Sequence, residues 1–266
     1  MNPFFFGDGE ALLYGVHHPP KTDVRSGQSG QGIVLCSAFG QEYMRAHRAY
    51  RQLAFLLSRK GFHVLRFDYR GTGDSSGDPE GVSANDWVTD VGLAIDELKE
   101  VASIPSVTAL GLRLGALLAA SACASRTDVD RLVLWDPVRS GASYEDELLA
   151  AIASEESSEY AASSGNGEGS GGELHYNGFT LSRELREGLR SLDVVDAASA
   201  RVARILHAVS HETEIFSQIR DAMRVHPGYR YQFTSAPHDW NYVDNFGGIL
   251  LPQPVIQAIV QWLEVP

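Results

Sequence analysis

Short, continuous apolar runs alternate along this chain with longer stretches in which apolar positions recur every three or four residues. FFFGDG and ALLYGVHHPP read as a hairpin pair, closed by Pro19-Pro20. After the polar loop KTDVRSGQSGQ, the run GIVLCSA from Gly32 to Ala38 is apolar enough to be a strand buried on both faces. A helix is predicted from Tyr43 to Arg59, with Leu53, Leu56 and Leu57 on one face and Gly61 placed to end it. FHVLRFDYR is the next strand and GTGDSSGDPEG a long turn, after which Asp86 is placed to cap a helix through Lys99. VTALGLR is a strand that runs into a helix from Leu114 to Ser125. RLVLWDPV, RVARILHAVS and YRYQFTSA supply three more strands, and PQPVIQAIVQWLE is a closing amphipathic helix opened by proline. This alternation predicts the α/β class: a mostly parallel, doubly wound sheet of about eight strands, helices on both faces, and the opening hairpin as an antiparallel edge.

The rhythm breaks between residues 140 and 200. ASYEDELLAAIASEESSEYAASS is an acidic helical stretch, GNGEGSGG a flexible glycine-rich loop, and ELHYNGFTLSRELREGLRSLDVV a short strand followed by a helix capped by Ser182. The division expected is therefore a first part of the core at 1–139, an acidic lid insertion at 140–200, and a second part of the core at 201–266. Charge supports that division. The chain carries a formal net charge of −12, while Ser140 to Ala200 alone holds twelve Asp/Glu against three Arg. Insertions at the carboxyl ends of strands cover ligand sites in open α/β sheets, which gives this one the expected role of a lid.

Composition removes several function classes. The acidic balance repels nucleic acid and anionic lipid. No apolar run is long enough for a transmembrane helix, and MNPFFFGDGE lacks the features of a secretory leader. Two cysteines, Cys36 and Cys123, in apolar segments imply a reduced, cytoplasmic compartment rather than a disulfide, and no Cys/His spacing suggests zinc. No cofactor is expected: GTGDSSG lacks dinucleotide spacing and no Walker-type lysine follows a glycine loop.

The chemistry concentrates in VTALGLRLGALLAAS, Val107 to Ser121. A strand enters Gly111-Leu112-Arg113-Leu114-Gly115 and a helix leaves it, which is the frame of a G-x-S-x-G nucleophile elbow with arginine in the serine position. With FDYRGTGDSSG after an earlier strand and PHDWNY before the last helix, the order resembles the α/β-hydrolase superfamily over nearly the whole chain. More narrowly, VLCSAFGQEYMRAHR, FDYRGTGDSSGD and GLRLGALLAA look like the hydrolase-like proteins encoded beside exosortase systems and some biosynthetic clusters. The fold so implied does not settle the chemistry.

The resemblance implies where a site would lie. Arg113 has no nucleophilic atom and stays protonated, so its expected role is an anion anchor at a helix N-terminus; the alternative is a structural ion pair with Asp136 or an acidic lid residue. His238 sits where the superfamily's general base belongs, and the other histidines (His17, His18, His47, His63, His175, His207, His211, His226) lack that context. The acid expected to orient His238 is Glu212, with Glu214 as the alternative. Ser37, Phe39 and Gly40 occupy the oxyanion loop, with Leu114 after the elbow and Trp240 beside His238. Cys36 and Ser37 are candidate displaced nucleophiles, although Cys36 also fits a buried strand position. Asp68, Asp74 and Asp136 read as turn-holding carboxylates near Arg66 and Arg70. Trp240, Tyr242 and Phe246 either line a pocket or pack the end of the sheet.

Three functions follow. The leading one acts on a small-molecule or carrier-linked acyl ester or thioester, anionic in part, with His238 as base and Arg113 as anchor. The second is a non-catalytic pseudo-hydrolase that binds a ligand or partner, and the third an acyl hydrolase using Cys36 or Ser37. A homodimer is compatible with all three.

Overall fold

The computed structural model describes residues 1–7, 9, 12–21, 31–156, 165–198, 201–241 and 250–265. β1 (Asn2–Phe6) and β2 (Leu13–His18) pair antiparallel, Asn2 opposite His17 and Phe6 opposite Leu13. There follow β3 (Gly32–Cys36), α1 (Gly40–Arg59), β4 (His63–Phe67), α2 (Ala84–Ala102), β5 (Val107–Leu112), α3 (Leu114–Cys123) and β6 (Val129–Trp135). Between β6 and the next long strand lie α4 (Gly141–Glu156), the short strands β7 (Gly167–Glu168), β8 (Leu174–Tyr176) and β9 (Phe179–Leu181), then α5 (Arg183–Arg190) and α6 (Val194–Ala198). β10 (Arg204–Val209), α7 (Glu214–Met223), β11 (Tyr229–Phe233) and α8 (Gln253–Glu264) complete the chain.

Eight strands form one sheet in the order β1-β2-β4-β3-β5-β6-β10-β11, parallel from β4 to β11, with β1 and β2 antiparallel at one edge. This is the α/β-hydrolase fold. α1 and α8 cover one face, where Ile33, Leu35, Val64, Leu110, Val133 and Leu206 are buried against them. α2, α3 and α7 cover the other. Each fully buried aliphatic side chain contributes roughly 1.5–3 kcal/mol, so the two packed faces fix the sheet, and with it the loops at its carboxyl edge.

Several boundaries differ from the sequence reading. α1 begins at Gly40, three residues before the expected Tyr43, because Gly40 takes φ 63 and Phe39 supplies the extended N-cap. That shift places Glu42 in the first helical turn, on the same buried stripe as Ala46, Ala49 and Leu53. α2 is capped by Ser83, not Asp86; Asp86 closes a capping box by accepting the Ser83 amide at 2.9 Å. The glycine-rich GNGEGSGG is not wholly loop, since Gly167–Glu168 pairs with β8, and the single strand expected after it is a hairpin of β8 and β9. Ser182 caps α5 as the sequence suggested.

Candidate functional site

The turn between β5 and α3 is held by close backbone approach. A Cβ on Gly111 would lie 2.2 Å from the Gly115 carbonyl oxygen, and one on Gly115 would lie 2.2 Å from that of Cys36. Only glycine fits at either place. Between them Arg113 takes φ 54, ψ −122, a conformation that costs an arginine of order 1–3 kcal/mol and persists where the surroundings over-determine it. Its amide donates to the Trp135 carbonyl of β6 at 3.0 Å, and its carbonyl accepts from Ala116 at 3.0 Å.

The side chain leaves this turn into an ion cluster. Arg113 Nε donates to Glu42 Oε1 of α1 at 2.8 Å, one terminal nitrogen pairs with Glu147 of α4, and the other reaches the Asp136 carbonyl at 3.4 Å. Glu42 is fully buried and also accepts from Asn241 Nδ2 at 3.2 Å and the Tyr144 hydroxyl at 3.3 Å. Burial pushes the Glu42 carboxyl above the usual carboxylate range, against the pull of Arg113; the neighbouring carboxylates raise Arg113 further. Arg113 therefore does not present a free guanidinium fork. The structural ion pair is present, with Glu42 and with Glu147 of the 140–200 interval, while Asp136 contributes only its carbonyl.

Asp136 follows β6 directly, at φ 41, and is also fully buried. Its carboxylate accepts from the Ser210 amide at 2.7 Å, the Ser210 hydroxyl at 2.5 Å and Trp240 Nε1 at 3.0 Å. The Ser210 proton is thus committed to Asp136, leaving Ser210 Oγ as acceptor for His211 Nδ1 at 3.3 Å. The His211 ring stacks on His238, centroids 3.8 Å apart and planes 10° from parallel. His238 Nδ1 donates to the Ala236 carbonyl at 3.2 Å, not to a carboxylate. Burial pulls the His211 pKa below the ordinary histidine value, with His238 and Arg113 adding to the effect and Asp136 opposing it.

Arg113, Glu42, Glu147, His211, His238 and Trp240 all line one cavity of about 400 Å³, with Phe216 and Ile215 of α7 as its apolar wall. The geometry thus brings His238, Arg113 and Trp240 together and leaves the other expected site residues elsewhere. Glu212 is exposed and has no hydrogen bond to His238 among the described residues; Glu214 opens α7 and accepts from Gln218 at 3.3 Å. Ser37, Phe39 and Gly40 line a different cavity, of about 380 Å³, against Phe179. Leu114 opens α3 with its side chain in the core. Cys36 is sealed, and burial raises its thiol well above the ordinary cysteine value, the opposite of an activated nucleophile. Arg70 pairs with Asp86 and Asp90 of α2. Tyr242 and Phe246 lie outside the described residues.

Two groups at the site are not legible in the sequence: His211 lacks the flanking context of a catalytic histidine, and Glu42 falls before the expected helix. Glu42 did leave a signal: it is acidic at a position that continues the apolar stripe of α1.

The sequence profile of a family described as serine aminopeptidase, S33, matches residues 30–162. Among curated proteins no relative matches. Solved structures share the architecture at low identity. Est1E from Butyrivibrio proteoclasticus, with ferulic acid bound, is 14% identical, with 98% of this chain and 96% of that one covered and a TM-score of 0.67. An esterase from Pyrococcus furiosus is 15% identical, covering 99% and 89%, at TM-score 0.67. A proline iminopeptidase from Mycobacterium smegmatis is 15% identical, covering 98% and 97%, at TM-score 0.63. Among the described residues no helix is long and apolar enough to cross a membrane, and no group of three or more His, Cys, Asp or Glu is arranged to hold a metal ion.

Proposed function

This chain belongs to the serine aminopeptidase S33 family, and we propose that it is a pseudo-hydrolase, binding a small ligand at the elbow cavity without forming an acyl-enzyme. Arg113 stands where the superfamily's nucleophilic serine would stand. The observation that carries the reading is the engagement of that arginine by two carboxylates, Glu42 and Glu147. A guanidinium so neutralised has little charge left for a substrate anion. Asp239 also lines the cavity. Three carboxylates against one arginine disfavour an anionic ligand in this cavity and favour a neutral or cationic one.

Two facts weigh against the displaced-nucleophile alternative. Cys36 lies sealed in the sheet, and Ser37 lines cavities other than the one holding His238. A base must lie within hydrogen-bond reach of the nucleophile it activates.

A second reading rests on the Asp136–Ser210–His211 chain. It fixes His211 with Nδ1 as donor, which leaves Nε2 as a neutral acceptor suited to activate water on a bound ester or thioester. In that reading His211, not His238, is the oriented base, and the insertion containing α4 serves as lid.

The test combines a fluorophosphonate probe, read by intact mass, with a panel of acyl esters and thioesters. Expected are no covalent adduct and no turnover above the uncatalysed rate. A stoichiometric adduct abolished by Ser37→Ala or Cys36→Ala would overturn the proposal in favour of a displaced nucleophile. Turnover without an adduct, lost in His211→Ala, would replace it with the water-activating reading.

A further inference from the structure

On the face of the sheet covered by α1 and α8, the strand residues are apolar almost throughout: Ile33 and Leu35 on β3, Val64 on β4, Leu110 and Leu112 on β5. Arg66 interrupts that surface. It is two residues after Val64 on β4, paired with Leu35 of β3 on one side and Val16 of β2 on the other. A charged side chain in such a place is costly unless it is paired. Arg70, Arg113, Arg126, Arg139 and Arg186 each have a carboxylate within ion-pair distance. Among the described residues Arg66 has none; nor has Arg131 on β6, but its guanidinium donates to the Leu263 carbonyl of α8 at 3.0 Å.

What Arg66 does have is an orienting contact. Its Nε donates to His18 Nε2 at 3.2 Å, and His18 is a buried imidazole whose pKa burial lowers to about 4, so it is a neutral acceptor. That bond fixes the guanidinium plane and leaves both terminal nitrogens unengaged by any described residue. Arg66 lines a cavity of about 300 Å³ between α1 and strands β2 and β4. Arg51 and His47 of α1 line the same cavity, and Tyr14, Tyr43 and Tyr50 give it aromatic walls. Two aspartates also reach it. Asp68 is occupied, accepting the Tyr43 hydroxyl at 2.9 Å and the Asp74 amide at 3.2 Å, and Asp74 is exposed to water.

We propose that this cavity, separate from the elbow, binds a small organic oxyanion, a phosphate monoester or a carboxylate on an aromatic or aliphatic body, held by the Arg66 fork with Arg51 in support. The two terminal N–H groups of an oriented guanidinium match two oxygens of either head group. The aromatic walls accept the body. The inference is independent of the elbow reading, which assigns a neutral or cationic ligand to a different cavity.

The experiment is a calorimetric titration of the intact chain with phenyl phosphate, benzoate and benzyl alcohol. At least one anion is expected to bind saturably and the alcohol not to. A preference for phenyl phosphate identifies a phosphate monoester site, and one for benzoate a carboxylate site. Arg66→Gln should weaken the anion by about ten-fold or more, the usual worth of a charge-assisted contact. His238→Ala, in the other cavity, should leave it unchanged. If Arg66→Gln fails to fold, Arg51→Ala at the exposed rim reads the same site, with a several-fold loss expected. The proposal is overturned if neither anion saturates, if benzyl alcohol binds as tightly, if the arginine variants bind as the wild type does, or if the loss occurs in His238→Ala instead.

Discussion

Replacing Arg113 by methionine, which keeps length and apolar bulk, isolates the charge at the elbow. The change strands Glu42, whose side chain has 0% exposure and whose Oε1 loses its 2.8 Å donor. Breaking a buried pair by removing one partner costs about 3–5 kcal/mol, because the surviving charge cannot recover its hydration. Glu147 is 31% exposed and rehydrates, so its share is at most about 1 kcal/mol. At roughly 2–4 °C per kcal/mol for a chain of this size, the combined loss of about 3–6 kcal/mol should lower the Tm of Arg113→Met by roughly 6–24 °C. The double variant Glu42→Gln/Arg113→Met removes both charges and should recover a large part of the loss. Urea denaturation of wild type, both single variants and the double variant completes the cycle.

The pH dependence gives that cycle a sign. In Arg113→Met, burial acts on Glu42 with no guanidinium to oppose it, so the folded-state pKa rises further above the unfolded value near 4.5. A carboxyl with a raised folded pKa favours the folded state fully below the unfolded value, and that contribution is lost as pH rises through the folded pKa. The deficit of Arg113→Met against wild type should therefore be widest near neutrality and narrow as pH falls towards 4.5. A deficit under about 1 kcal/mol at pH 7, where breaking a buried pair demands several, would refute the reasoning. So would strict additivity of the two substitutions.

Two further outcomes follow from the same structure. His207, His17 and His18 are held neutral by burial, with pKa values lowered to about 3, 4 and 4. Their contribution is fully present above the unfolded value of 6.5 and is lost as pH falls towards the folded values, so stability should drop from pH 6.5 downward, by up to about 1.4 kcal/mol per pH unit for the sealed His207 and by less for His17 and His18 on β2. Denaturation midpoints of wild type and His207→Gln between pH 5 and 8 check this, and an unchanged slope in the variant would contradict it. Asp136→Asn should cost about 2–4 kcal/mol, since the amide cannot accept all three donors from Ser210 and Trp240; it should also raise the Trp240 fluorescence response to quencher, and a variant as stable and as shielded as wild type would remove Asp136 from the network.

The sheet was readable from periodicity because each strand is a local apolar run and each helix a local stripe. The elbow was readable for a related reason: Gly111 and Gly115 stand four apart, and the turn that needs them is built from neighbours in sequence. The occupants of the site were not. Glu42 lies 71 residues from Arg113 and 199 from Asn241, and Ser210 lies 74 from Asp136. No local pattern encodes such pairings. Glu212 seemed the better acid because it is near the end of β10, yet the chain turns its side chain to solvent and lays His211 over His238 instead. The GNGEGSGG segment misled by composition, since Gly167–Glu168 needs only backbone hydrogen bonds to join β8.

Glu42 and Arg66 are the same kind of signal read at different periods. Each is a charge on a stripe that its element otherwise keeps apolar, every third or fourth residue along α1 and every second along β4. Their fates differ because of what the fold puts opposite them. Glu42 meets an arginine forced out of the elbow by the φ 54 turn, so its charge is spent within the protein. Arg66 meets a neutral imidazole, which sets its direction, and Asp68 acts on it only through space, outside ion-pair distance. A charge that is oriented but not directly paired is more available to a ligand than one held by two carboxylates. The arginine that the elbow motif draws attention to is therefore the one committed to holding α1 and α4 against the turn, and the inconspicuous arginine of β4 is the one left to recognise an anion.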